Sequence, residues 1–372
     1  MRSTSGEYYE KLDHVRAFAC YAVFVWHFIH GPNGELTPFG APPPFFPVAL
    51  LDEGYIGVSV FMCLSGYLFA KILDNSKIVY RTFLWNRFLR LAPLLVLVFI
   101  ASGVHLIAIL KLVDLRFYLG ALLKGFVLPL WPAGGWSIAT EIHFYFMLPA
   151  ILWAVRRSTW FGLALIAAAV ALRAGIWAWR GETQLAAYWT IVGRFDEFTL
   201  GIVLCRHRAW AAGRSWLAAA VFVGFCWFYY QYDKAGGFMN LGGGGYPSKS
   251  PLWIVMPTLQ AACISFLIAW YDQTDLFRPG RISRFIAVIG GISYSIYLLH
   301  PFFVFELSKL FFGRGLNYAE SLGLATLAFV ATIPIGLASF RWIEAPPLRY
   351  RRRYKADAAP TPSPAPKIGT IA

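Results

Sequence analysis

Apolar residues gather along this chain in stretches of roughly 20, the length an α-helix needs to cross about 30 Å of hydrocarbon at 1.5 Å per residue. Ten such windows stand out, near 14–31, 55–73, 91–113, 135–155, 159–179, 187–205, 215–232, 251–271, 284–305 and 321–342. The pattern predicts an all-α fold, a polytopic membrane helix bundle with about ten transmembrane helices. The stretch 117–131 interrupts the alternation and reads as a re-entrant or surface helix.

Composition agrees. With 58% hydrophobic and only 14% charged residues and a mean hydropathy of +0.56, the chain is too apolar to have water as its main solvent. A net charge of +14 would raise nucleic acid as a partner for a soluble protein. Here the cations alternate from connection to connection. With the N-terminus inside, about 21 Lys and Arg fall on the cytoplasmic face and about 8 on the other, as the positive-inside rule requires. Both termini are then expected to be cytoplasmic, with the bilayer and not nucleic acid as the partner. Lys111, Arg116 and Lys124 are the discordant cations. All five cysteines fall within apolar windows, and none has metal-ligand spacing, so neither disulfides nor a metal site is expected. Residues 1–350 read as one transmembrane domain, and 351–372 as a basic, then Pro/Ala-rich disordered tail.

Several windows carry ionisable residues. Near the bilayer centre each costs at least about 2.5–3.5 kcal/mol, so such residues face a protein interior or a wet cavity. Asp13 and Arg16 are three apart on one helix face, which suits a local ion pair or part of a polar site. His27 follows about 16 Å further along, as a hydrogen-bonded core residue or a base. In GGWSIATEIHFYFMLP, Ser137 precedes Glu141 by one turn, below Trp136. Arg194, Asp196 and Glu197 cluster in GRFDEFTLG, where they either neutralise one another or line a pocket. In GGISYSIYLLHP, Tyr294, Tyr297 and His300 recur every three residues. Because alternate helices run oppositely, His27, Glu141, the Arg194–Glu197 cluster and His300 all map to the outer half, the depth coincidence a shared cavity would produce. On the inner side, Arg87 and Arg90 in RTFLWNRFLRLAPLL are either snorkelling arginines or a fork for a phosphate.

Taken in order, LDHVRAFACYAVFVWH, GVSVFMCLSGYL, RFLRLAP, WSIATEIHFYFMLP, YSIYLLHP and RWIEAPP resemble the acyltransferase 3 family of membrane O-acyltransferases, over about residues 10–348. The resemblance implies transfer of an acyl group, usually acetyl from acetyl-CoA, to a hydroxyl of a sugar in a surface polysaccharide, glycolipid or glycoside. It implies a bacterial cytoplasmic (inner) membrane location, acyl-CoA as co-substrate and no tightly bound cofactor. Carried over by motif, His27 is the catalytic base, with Glu141, Asp13 and Arg16 shaping the centre and Arg87 and Arg90 meeting the CoA phosphates. The sugar acceptor would lie among Trp136, Ser137, Arg194, Asp196, Glu197, Tyr294, Tyr297 and His300. Glu141 is expected to orient His27.

A polytopic transporter or flippase of lipid-linked or small sugars is the competing class, since intramembrane His, Glu and Arg also mark transport pathways. Release of free CoA in the presence of an acceptor sugar separates the two.

Overall fold

The computed structural model describes residues 8–31, 36–37, 41–73, 78–275 and 280–354. Arg2, Lys77, Arg278 and Lys367 of the predicted basic connections, and 355–372 of the predicted tail, lie outside them. Among the described residues the chain is helical, with no β-sheet.

Thirteen of the helices among the described residues set the architecture. They are α1 (Glu10–Ile29), α2 (Ile56–Leu73), α3 (Tyr80–Gly103), α4 (Leu115–Lys124), α5 (Gly135–Arg157), α6 (Thr159–Arg180), α7 (Ile191–Arg206), α8 (Ser215–Lys234), α9 (Leu252–Gln273), α10 (Arg281–Gly291), α11 (Ser293–Leu299), α12 (Pro301–Lys309) and α13 (Tyr318–Ser339). Helices occupy all ten predicted windows. Among the described residues, six are long and apolar enough to cross a membrane, seven if α10 and α11, bent by 50° at their junction, count as one. At 16 residues, α7 (Ile191–Arg206) is too short to join that set.

Local sequence explains the ends. Asn317 and Glu320 form a capping box that opens α13, the Asn317 side chain accepting from Glu320 N–H at 3.0 Å and the Glu320 carboxylate accepting from Asn317 N–H at 2.9 Å. Gly181, at φ +74°, closes α6 in the left-handed region that a residue with a Cβ resists. Trp160 and Trp179, near the two ends of α6, are 78% and 85% exposed. Nineteen residues, about 28 Å, separate them, which is the spacing of two interfacial belts. The stretch 117–131 contains the short helix α4, capped by Asp114 (2.7 Å to Phe117 N–H). It is tied back to the end of α3 by a 2.6 Å bond from Tyr118 Oη to Phe99 O.

At the centre, α2 is buried along most of its length between α1, α7 and α9. Its closest approach is to α7, and glycine makes that approach feasible from both sides. A Cβ on Gly66 would lie 2.0 Å from Phe198 O, and one on Gly201 would lie 2.1 Å from Cys63 O. Small residues that let backbones touch are the common means of packing helices in lipid, where hydrophobicity gives no drive to associate.

Candidate active site

A cavity of about 230 Å³ lies between α1, α2, α3, α5 and α11. The helices are brought together there by backbone contact: a Cβ on Gly290 would lie 1.8 Å from Asp13 O. At this contact α10 gives way to α11, turning Ser293, Tyr294 and Tyr297 towards the cavity.

One end of the cavity is basic. Arg16, Arg87, Arg90 and Arg351 line it, with Asp13 and Asn86. Arg16 Nη1 donates to Asp13 Oδ1 at 2.5 Å, and Arg90 pairs with the fully buried Glu344 at 3.5 Å. The Arg87 guanidinium sits over the Phe69 and Phe83 rings at 5.3 and 5.6 Å, and Arg90 over Tyr294 at 5.8 Å. Aromatic faces hold a guanidinium in place without neutralising it. Tyr294 is fixed in turn by its hydroxyl, which donates to Leu91 O at 2.6 Å.

Beside these arginines, neutral donors surround one carboxylate: Tyr145 packs on the same Phe69 and Phe83 rings that Arg87 lies over, at 5.5 and 5.9 Å. Glu141 Oε1 accepts from Tyr145 Oη at 2.5 Å and from Ser65 Oγ at 3.3 Å. Glu141 therefore does not orient His27, as had been expected; its partners are hydroxyls on its own helix and on α2. Ser137 Oγ is 2.8 Å from Tyr297 Oη and donates to Gly134 O at 2.9 Å.

His27 is not on the cavity wall. It sits one layer beyond, reached through Tyr297 and His300, whose ring centroids are 5.8 Å apart. His300 Nε2 lies 3.3 Å from His27 Nδ1. Their other contacts fix the protons. His27 Nδ1 is 2.8 Å from Val23 O and His300 Nδ1 is 2.6 Å from Tyr297 O. Carbonyls only accept, so each ring carries its hydrogen on Nδ1. His27 N–H is then shared between Val23 O and His300 Nε2, and His27 Nε2 keeps its lone pair.

Of the residues singled out from sequence, the cavity brings together Asp13, Arg16, Arg87, Arg90, Ser137, Glu141, Tyr294 and Tyr297. Trp136, Arg194, Asp196, Glu197, His27 and His300 do not line it. Trp136 packs on Tyr188 and Trp189 at 5.1 and 4.5 Å. The charged trio on α7 divides between two faces, because residues two apart on a helix point about 200° from each other. Arg194 pairs with Glu197 at 3.3 Å and lies over Tyr188. It donates to Ser59, which donates in turn to Gln260. Asp196 faces the other way and takes Arg173 of α6 in a fully buried fork, at 3.1 and 2.9 Å. Both groupings have the form of charge networks that tie helices together.

Sequence reasoning did not nominate Ser65, Asn86, Tyr145, Glu344 or Arg351. The signal for Glu344 was present, an acid at the edge of the last apolar window. Arg351 lay in a basic run that the positive-inside rule already accounted for.

A family model described as an acyltransferase domain, that of the acyltransferase 3 family, matches residues 9–341, nearly the whole chain. No curated protein and no solved structure matches.

Proposed function

The chain belongs to the acyltransferase domain family, and from that we propose that it is a membrane O-acyltransferase moving an acyl group, acetyl above all, from cytoplasmic acyl-CoA to a sugar hydroxyl. The acceptor is part of a surface polysaccharide, glycolipid or glycoside. In this reading about ten helices cross a bacterial inner membrane and both termini are cytoplasmic, so the basic end of the cavity opens inward. The observation that carries it is what the cavity gathers: unpaired guanidinium charge, hydroxyls around Glu141, and one layer further a histidine with a free Nε2 lone pair.

Arg87 and Arg90 hold the CoA phosphates by charge-assisted hydrogen bonds. The pantetheine arm lies along the apolar wall formed by Val58, Phe61, Met62 and Leu68, which brings the thioester to Ser137 and Tyr297. The Tyr297 ring turns aside to admit it to His27. The acceptor oxygen then attacks the thioester carbonyl while His27 Nε2 takes its proton. The C–S bond breaks, and the leaving thiolate takes that proton to give CoA–SH. His300 Nε2 accepts from His27 Nδ1–H and so supports the imidazolium formed in between. The Ser137 or Tyr297 hydroxyl stabilises the oxyanion.

The test is chemical. Purified protein in proteoliposomes, given acetyl-CoA, releases free CoA in proportion to acylated acceptor, and cells lacking the gene lose the acyl mass from a surface glycan. A correctly inserted His27→Ala protein acylating at the wild-type rate sinks the mechanism.

A further inference from the structure

One of the four guanidinium groups at the basic end of the cavity comes from outside the helical bundle. Arg351 follows α13 and lies past residue 341, where the family match ends. Its position is built, not incidental. Asn86 of α3 donates to Arg352 O at 2.7 Å and accepts from Arg352 N–H at 3.0 Å. Val79 N–H donates to Tyr354 O at 2.8 Å. Asn86 and Tyr354 are both buried, with the Tyr354 ring 5.8 Å from that of Phe83. The segment 351–354 is thus pinned along the start of α3. Arg351 Nε donates to Leu348 O at 3.1 Å, which orients the guanidinium at the cavity.

Charge makes this arrangement expensive without an anion. Asp13 answers Arg16, and Glu344 answers Arg90. Among the described residues, neither Arg87 nor Arg351 has a carboxylate at ion-pair distance, and Arg87 Nε is buried with no hydrogen-bond partner. Burial, and then the nearby Arg87 and Arg90, push the pKa of Arg351 below the ordinary arginine value. Two unanswered cations held side by side on a cavity wall are a site for a group carrying at least two negative charges.

We propose that Arg351 is a phosphate-binding residue of the donor site, delivered by the segment that follows α13 and locked in register by Asn86. The inference rests on the acyl-CoA reading above. The headgroup of an anionic lipid offers the same phosphate chemistry, so the test separates the two sources.

Purified protein is placed in nanodiscs of phosphatidylcholine with or without phosphatidylglycerol. CoA binding is measured by calorimetry, and turnover is measured with acetyl-CoA and with S-acetyl-pantetheine, which keeps the thioester and has no phosphate. Arg351→Gln is expected to weaken CoA binding roughly ten- to a hundredfold in both kinds of disc. Arg351→Lys loses less, and Asn86→Ala shifts affinity in the same direction with the charge intact. Turnover of S-acetyl-pantetheine by all three stays within about twofold of wild type, because no phosphate contact is there to lose. Unchanged CoA affinity in Arg351→Gln overturns the inference and leaves the acyl-CoA reading standing. An equal loss with S-acetyl-pantetheine overturns it too, as the mark of a structural role. An effect confined to retention of phosphatidylglycerol assigns the arginine to lipid and likewise overturns it. Wild-type protein that neither binds CoA nor turns over acetyl-CoA overturns the donor reading and this inference with it.

Discussion

The Tyr297 hydroxyl lies 2.8 Å from Ser137 Oγ, and this bond between α11 and α5 closes the cavity one side chain short of the His300–His27 pair. In the proposed mechanism this keeps the thioester and His27 in separate compartments while the bond is made. Tyr297→Ala removes the closure. The expected outcome is a rise of about fivefold in acceptor-independent hydrolysis of acetyl-CoA, since water and thioester then meet beside the base. Free thiol released without sugar is the readout, and an unchanged hydrolysis rate contradicts the closure.

His27→Ala is expected to lower kcat by about 10²- to 10⁴-fold, the range for loss of a general base. His300→Phe keeps the ring packing and removes the acceptor for His27 Nδ1–H. It should lower kcat about tenfold with KM for acyl-CoA unchanged, and should cost nothing further in a His27→Ala background. Additive losses in the double variant would place His300 on an independent task.

Glu344 holds Arg90 at 3.5 Å from the far side of the cavity wall. Glu344→Gln frees the guanidinium to move, and KM for acyl-CoA is expected to rise about threefold to tenfold with kcat little changed. Arg87→Ala removes a cation outright and should raise KM further. Steady-state kinetics at two salt concentrations check both, the Arg87→Ala protein showing the weaker salt dependence.

The Arg173–Asp196 fork is fully buried. Breaking it from one side, as Arg173→Met or Asp196→Leu, leaves a lone buried charge and is expected to cost about 3–5 kcal/mol. The double variant should recover most of that. Thermal unfolding of the purified protein in detergent measures all three, and a double variant as unstable as the singles would mean that the pair does more than neutralise itself.

Gly66→Ala places a methyl group 2.0 Å from Phe198 O, too close for anything but a backbone shift. A loss of about 1–3 kcal/mol is expected, visible as a lower unfolding temperature. The same substitution at Gly224, where a Cβ meets nothing within 4 Å, is the matched control.

The all-α class was legible because it depends only on the length of apolar runs, and those lengths are printed along the chain. Most of the cavity lining was legible too, because a polar residue inside an apolar helix advertises itself. Depth was a weaker guide than helix face. His27 and His300 share a depth and do meet, whereas Asp196 shares it and turns to Arg173. Angular position was there to be read, in the two-residue offset between Arg194 and Asp196. The contact of Asn86 with Arg352 was not readable, because it spans 266 residues of sequence and both partners sit in ordinary-looking basic stretches. The helix break at Ile292 was equally silent: Gly290 and Gly291 permit it, but only the backbone of α1 beside Asp13 requires it.

The grip of Asn86 on Arg352 also dates the mouth of the cavity within the life of each molecule. At roughly 5–20 residues per second of synthesis, the chain between them takes roughly 13 to 53 seconds to emerge. Through that interval α1, α2 and α3 are already made while the fourth arginine has yet to leave the ribosome. Until Arg351 and Arg352 have been made and Asn86 has taken hold of Arg352, the cavity wall carries three of its four guanidinium groups.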